Sequence, residues 1–149
     1  MTYRDSRPVF DLSPYDVMPH FIALSLTDKD GNVVADNFYV IGKKGNAYDW
    51  KRTKWYYTPI TRWEDLSFAF SGEVQNPEMK IEKNDEGYSV TLTNTAEKIS
   101  YMNILKALDK NGNLVVPAIW SDNFFPLLPG QSKTVTCKVR GDVEIKIND

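Results

Sequence analysis

Apolar positions along this chain recur at every second residue. In YSVTLTN, Tyr88, Val90 and Leu92 alternate with Ser89, Thr91 and Thr93, KTVTCKV sets Val135, Cys137 and Val139 on one side, and VEIKI does the same with Val143, Ile145 and Ile147. A period of two sends successive side chains to opposite faces of a strand, so each run predicts a half-buried β-strand. Turn-forming clusters stand between the runs: DKDGN at 28–32, NDEG at 84–87, DKNGN at 109–113 and LPGQ at 128–131. Glycine supplies positive φ there, and Asp and Asn bond nearby backbone groups. No stretch offers the spacing and caps of an amphipathic helix of roughly 10 to 12 residues. The pattern predicts an all-β chain, a two-sheet sandwich or a barrel.

Two segments repeat one another in outline. FIALSLTDKDGNVVADNFYV (21–40) and NILKALDKNGNLVVPAIWSDNFF (103–125) each run from an apolar strand through an Asp-Lys-Asp/Asn-Gly-Asn turn to a second strand and then Asp-Asn-Phe. The second copy carries extra residues, including Pro117 and Trp120, before Asp122. A solenoid needs about three similar units, so two hairpins at analogous places in a sandwich account for the likeness. The Asp28-Lys29-Asp30-Gly31 piece also invites comparison with a calcium loop. That loop needs its glycine at about the sixth position and a helix on each side. Here glycine is fourth in a strand context, which predicts a hairpin with Gly31 or Asn32 at positive φ and no metal.

At 149 residues the chain is one ordinary domain in size, and its formal net charge of -2 provides no global field for a polyanion. Apolar runs are short and interrupted, far from the roughly 18 to 20 residues of a membrane span, and TYRDSRPVF after Met1 is neither basic nor apolar enough for a signal peptide. The expectation is a soluble chain. Cysteine and histidine occur once each, as Cys137 and His20, so neither an internal disulfide nor a zinc site can be assembled. Cys137 reads as a small core residue on a strand, and His20 as the first residue of one.

The densest chemistry is in DWKRTKWYYTPITRW (49–63), which holds three of the four tryptophans with Tyr56 and Tyr57 among Lys51, Arg52, Lys54 and Arg62. Stacking on nucleic-acid bases calls for a positive groove, and Asp49, Glu64 and Asp65 offset most of the local positives. Sugar binding would use open faces of Trp55 and Tyr57 with Asp122 and Asn123 on the hydroxyls. An interface would use the same concentration of aromatics and arginine. Composition does not separate these last two. Asp49, Glu64, Asp65, Glu73 and Asp122 all lie near aromatics in sequence, but a glycosidase dyad needs two carboxylates about 5 Å apart or wider across a sugar, which strand spacing cannot establish.

Taken in order, DNFYV, DW, KWYYTP, EDL, VTLTN and WSDNFFPLLPGQSKTVT resemble the C-terminal immunoglobulin-like domain of glycoside hydrolase family 2 enzymes of the exo-β-D-glucosaminidase and β-mannosidase kind. The resemblance covers about residues 20 to 147 and is most specific at Trp55-Tyr56-Tyr57-Thr58-Pro59 and Trp120-Ser121-Asp122-Asn123. It departs at Val40, where the family often has Trp. The resemblance implies an immunoglobulin-like antiparallel β-sandwich over residues 21–149, preceded by a linker or edge segment over 1–20 in which Ser6-Arg7-Pro8 and Ser13-Pro14 stand. It also implies a non-catalytic accessory domain without cofactor or metal, whose partners are the catalytic (β/α)8 barrel and other domains of one parent enzyme, together with a β-linked glycan as a further candidate. Neither nucleic acid nor membrane is expected. A parent that removes terminal glucosamine or mannose, in the periplasm or outside the cell, follows from the same likeness.

Trp55, Tyr56, Tyr57, Trp63, Trp120, Asp122 and Asn123 are the candidate interdomain or sugar-facing residues. The long segment between a strand ending near Ile41 and one starting near Leu66 is expected to be pinned by Trp50 and Trp55, leaving part of the Tyr56, Tyr57, Trp63 set outward. WSDN is expected at a strand end, with Asp122 or Asn123 bonding backbone amides. The alternatives are an independent carbohydrate-binding module, which needs a row of exposed rings, and a stand-alone enzyme, which needs a carboxylate pair with shifted pKa values.

Overall fold

The alternating runs form antiparallel strands in the computed structural model, which describes residues 18–70 and 76–148. The chain divides into two compact units, Met1–Ser71 and Gly72–Asp149. Residues 1–17, and with them Ser6-Arg7-Pro8 and Ser13-Pro14, lie outside the described residues.

In the first unit, β1 (His20–Thr27) and β2 (Val33–Ile41) pair antiparallel from His20 against Ile41 to Thr27 against Val33. Asp28 closes the hairpin: its Oδ1 accepts the N–H groups of Asp30 and Asn32, both at 2.9 Å, while Gly31 takes φ of 85°. One face carries Phe21 and Phe38, whose rings sit 5.4 Å apart, and Phe68 stands 5.2 Å from Phe21. The other face, with Leu24, Leu26 and Tyr39, is exposed. His20 opens β1, its Nδ1–H donating to the Met18 carbonyl at 2.8 Å.

The long segment after β2 contains its own small ladder, β3 (Ala47–Tyr48) against β4 (Ile60–Arg62). Ser67–Phe70 forms a 3-10 turn, started by Asp65 Oδ1 accepting the Ser67 N–H at 2.9 Å. A strand starting near Leu66 is therefore replaced by this turn, because a carboxylate two residues ahead of Ser67 favours local bonding over a ladder.

The second unit is a sandwich. Its larger sheet orders β5 (Glu78–Asn84), β6 (Gly87–Thr93), β11 (Ser132–Lys138) and β9 (Ile119–Trp120), and facing it are two pairs, β7 (Ser100–Asn103) with β10 (Phe125–Leu127) and β8 (Leu105–Leu108) with β12 (Glu144–Ile147). Both layers supply the core, Tyr88, Val90, Leu92, Val135 and Cys137 from one and Leu105, Ala107, Phe125, Leu127 and Ile145 from the other. Each fully buried Leu or Val contributes about 1.5–3 kcal/mol relative to exposure. The outward alternates pair by hydroxyl bonds, Thr91 to Thr134 and Thr93 to Ser132, both at 2.8 Å.

Three asparagines bond backbone groups of the second unit through their side chains. Asn103 donates to the carbonyls of Ser100 and Phe125 at 3.1 and 3.0 Å and accepts from the Ser100 hydroxyl at 2.8 Å. Asn94 donates to Lys98 and Leu127 carbonyls at 2.8 and 2.9 Å. Asn123 exchanges two bonds with Leu105, accepting its N–H at 2.8 Å and donating to its carbonyl at 2.9 Å. Buried polar side chains tolerate this position only when so fully bonded.

The likeness of the two hairpins holds at the turns and ends there. Asp109 repeats the geometry of Asp28, accepting from Asn111 and Asn113 at 2.8 and 2.9 Å, with Gly112 at φ of 81°. Asp36 and Asn37 then lie within β2, whereas Asp122-Asn123-Phe124 is a bend with Phe124 at φ of 61°.

Candidate functional site

Asp49 organises the aromatic segment. Its backbone N–H donates to the Pro59 carbonyl at 2.8 Å, extending the β3–β4 ladder by one bond. Its side chain caps the 3-10 turn Trp50–Arg52, accepting the N–H groups of Lys51 and Arg52 at 3.2 Å each and the Arg52 Nε–H at 2.6 Å. The Arg52 guanidinium, then these backbone donors, hold the Asp49 carboxyl below its ordinary range. Lys54 and Tyr57 next exchange backbone bonds at 2.8 and 3.2 Å, which turns the chain over Trp55 and Tyr56.

Because polar bonds shape the segment, its rings are left outward. Trp50, Trp55 and Trp63 expose 71%, 95% and 72% of their surface, and Tyr48, Tyr56, Tyr57 and Phe70 are exposed as well. Trp50 and Trp55 therefore do not pin the segment; the Asp49 cap and the Lys54–Tyr57 bonds do so in their place. The rings are not coplanar. Trp55 meets Tyr56 edge-on at 80° with centroids 5.2 Å apart, and Tyr48 and Trp50 tilt by 39° at 5.3 Å.

Trp63 follows β4 and lines a groove of about 340 Å³ together with Lys43, Lys44, Arg62, Asp65 and Phe68. Glu64 fixes its frame, with Oε1 accepting the Gly42 N–H at 2.6 Å and its own N–H donating to Asn46 Oδ1 at 2.7 Å. A Cβ on Gly42 would lie 2.7 Å from the Asp65 carbonyl oxygen, so glycine is needed for the approach. Arg62 donates to the Gly45 carbonyl at 3.0 Å. Glu64 and Asp65, noted in the sequence as carboxylates near aromatics, thus bond backbone amides; Glu73 lies outside the described residues. Lys43 and Lys44 carried no signal in the sequence, since a lysine pair after glycine reads as an ordinary solvated loop.

The other candidate residues belong to the second unit. Trp120, on β9, is half-buried against that unit's core. Asp122 accepts the Asn123 N–H at 2.8 Å and pairs with Lys133, whose ammonium also sits 4.7 Å from the Phe125 ring centroid. Asn123 is committed to the Leu105 backbone. The arrangement holds a bend rather than presenting open donors and acceptors.

Cys137 is buried on β11, and burial pushes its thiol upward, away from the thiolate a nucleophile needs. Among the described residues no group of three His, Cys, Asp or Glu could hold a metal ion.

A sequence profile described as the exo-β-D-glucosaminidase Ig-fold domain matches residues 55–148. The exo-β-D-glucosaminidase of Streptomyces avermitilis is 33% identical over 125 residues, a stretch that covers 78% of this chain and 14% of that protein. That of Arthroderma benhamiae is 30% identical over 113 residues, covering 73% and 13%. In structure the chain is similar to the Amycolatopsis orientalis exo-chitosanase CsxA, with a TM-score of 0.75 and 27% identity over 88% of this chain and 17% of that one. The chain thus spans between 13% and 17% of these relatives. With a profile match over most of its length and a structural likeness over nearly all of it, the chain belongs to the family of exo-β-D-glucosaminidase Ig-fold domains, the immunoglobulin-like domains of glycoside hydrolase family 2 enzymes.

Proposed function

We propose that this chain is a non-catalytic accessory domain of a larger family 2 glycoside hydrolase of the exo-β-D-glucosaminidase or β-mannosidase kind. It packs against and supports the catalytic (β/α)8 barrel and other domains of that parent, whose substrate is a β-linked glycan ending in glucosamine or mannose. The observation that carries this reading is the concentration of exposed, non-coplanar rings on the first unit, with Trp55 at 95% exposure. Large apolar patches on soluble domains mark interaction sites, and aromatics dominate the energy of interfaces. The small share of each relative that the chain covers supports the same view. Residues 21–149 are the working domain in this reading and 1–20 its linker or edge. A periplasmic or secreted parent belongs to it too; among the described residues no helix is long and apolar enough to cross a membrane.

A second reading, an independent carbohydrate-binding module, draws on the open face of Trp55. Sugar platforms favour rings aligned along a chain of pyranoses, and the 80° angle between Trp55 and Tyr56 works against that.

The test is a chimaera in which this chain replaces the matching segment of CsxA. Solubility and hydrolysis of PNP-β-D-glucosamine are expected to survive the exchange and to be lost when the segment is deleted outright. A deletion that keeps full stability and activity would contradict a supporting role. Specific binding of chito-oligosaccharide by the free chain at Trp55 or Asp122 would replace it with the module reading.

A further inference from the structure

Charge sets the groove beside Trp63 apart from the rest of the aromatic surface. Lys43, Lys44 and Arg62 all line it, and none of them pairs with a carboxylate among the described residues. Arg62 donates from its guanidinium to the Gly45 carbonyl, a neutral acceptor, so this bond orients the charged head without an ion pair. The single carboxylate in the lining, Asp65, is bonded to the Ser67 amide. Trp63 and Phe68 add apolar surface between the cations. A chain of net charge -2 thus carries a local excess of positive charge around an exposed indole.

We propose that this groove seats an acidic peptide segment of the parent enzyme. Trp63 and Phe68 cover the segment's apolar parts, and Lys43, Lys44 and Arg62 receive its carboxylates. The proposal rests on the accessory-domain reading and deepens it by giving the partner surface a chemistry. Charge complementarity selects this occupant: clustered positive charge raises the local concentration of anions and repels cations. An amino sugar carries an ammonium group near neutral pH, so the same charge disfavours a glucosamine-bearing glycan here. The frame is rigid enough to specify a partner, because the Gly42–Glu64–Asn46 bonds fix the loop that carries both lysines.

The experiment follows the Trp63 indole N–H, identified with Trp63→Phe, in nitrogen-resolved NMR spectra of the full chain at low salt. The probes are a short peptide alternating Glu with Leu, its Gln counterpart, a chito-oligosaccharide and an oligoglucuronate. The Glu peptide is expected to shift the indole signal saturably, with affinity falling about tenfold in Lys43→Glu/Lys44→Glu and again at high salt. Arg62→Lys, which keeps the charge, is expected to bind within about threefold of the parent chain. Absence of a saturable shift, an equal response to the Gln peptide, indifference to the lysine reversals, or tighter binding of either oligosaccharide would overturn the proposal. The CsxA chimaera separates the two levels. If Lys43→Glu/Lys44→Glu leaves it unchanged while removal of the aromatic patch weakens it, the groove assignment fails and the accessory reading stands. If neither change is felt, both fail.

Discussion

At the scale of single residues, the fold depends on positions where backbone demands exceed what an ordinary side chain can meet. Gly87 begins β6 at φ of 145°, and a Cβ there would lie 2.2 Å from the Cys137 carbonyl oxygen. Gly87→Ala should cost about 1–3 kcal/mol from conformation alone, with the clash added, seen as a lower urea midpoint at unchanged slope. Asn103→Ala should cost roughly 2–4 kcal/mol, since it removes two buried side-chain hydrogen bonds, to the carbonyls of Ser100 and Phe125. Asp28 and Asp109 make acid the sensitive side of the hairpins. Bonding to Asn32 and Asn113, from side chain and backbone together, holds both carboxyls below their ordinary value in the folded state. A carboxyl whose folded pKa is depressed binds its proton more readily when unfolded. Its contribution is therefore complete above the ordinary carboxylate range and fades as pH falls through the lowered value. Protection of the Asn32 and Asn113 amides, taken relative to their intrinsic exchange rates at each pH, should fall only in that acidic window, and in Asp28→Ala the Asn32 amide should lose protection at neutral pH as well.

Elements were legible where one local pattern determined them. The runs around Val90, Val135 and Ile145 needed only alternation, and their inward residues are the core. DKDGN and DKNGN needed only turn chemistry, which Gly31 and Gly112 satisfy with positive φ. The segment from 49 to 63 was harder, because its shape comes from one carboxylate rather than from a periodicity. Trp50 and Trp55 suggested pinning by burial, while the Asp49 cap and the Lys54–Tyr57 bonds leave the rings open. Asp49→Ala should speed amide exchange at Lys51 and Arg52 and broaden the Trp55 indole signal. The groove was equally hidden, since Lys43 and Arg62 come from separate pieces of the chain joined through Gly42, Asn46 and Glu64. Asp122 and Asn123 could be sugar ligands by residue type, but the expectation that one of them bonds a backbone amide agrees with Asn123, which accepts the Leu105 N–H; the partner of Asp122, Lys133, comes from the fold.

On the scale of the whole molecule, the WYYTP and WSDN motifs carried the family while composition carried only the class. The profile match begins at Trp55, the most exposed of the large aromatic residues among those described. An exposed ring that opens a family motif argues for a partner, since burial inside its own chain does not account for it. The decisive measurement compares one variant in two settings: Trp55→Ser/Tyr56→Ser/Tyr57→Ser in the free chain and in the CsxA chimaera, each followed by thermal unfolding. The accessory-domain account predicts a free-chain midpoint changed by no more than about 2 °C, because surface substitutions cost little, together with a clear drop in the midpoint and activity of the chimaera. A chimaera that unfolds and hydrolyses PNP-β-D-glucosamine as before, or a free chain that collapses without these rings, would contradict it.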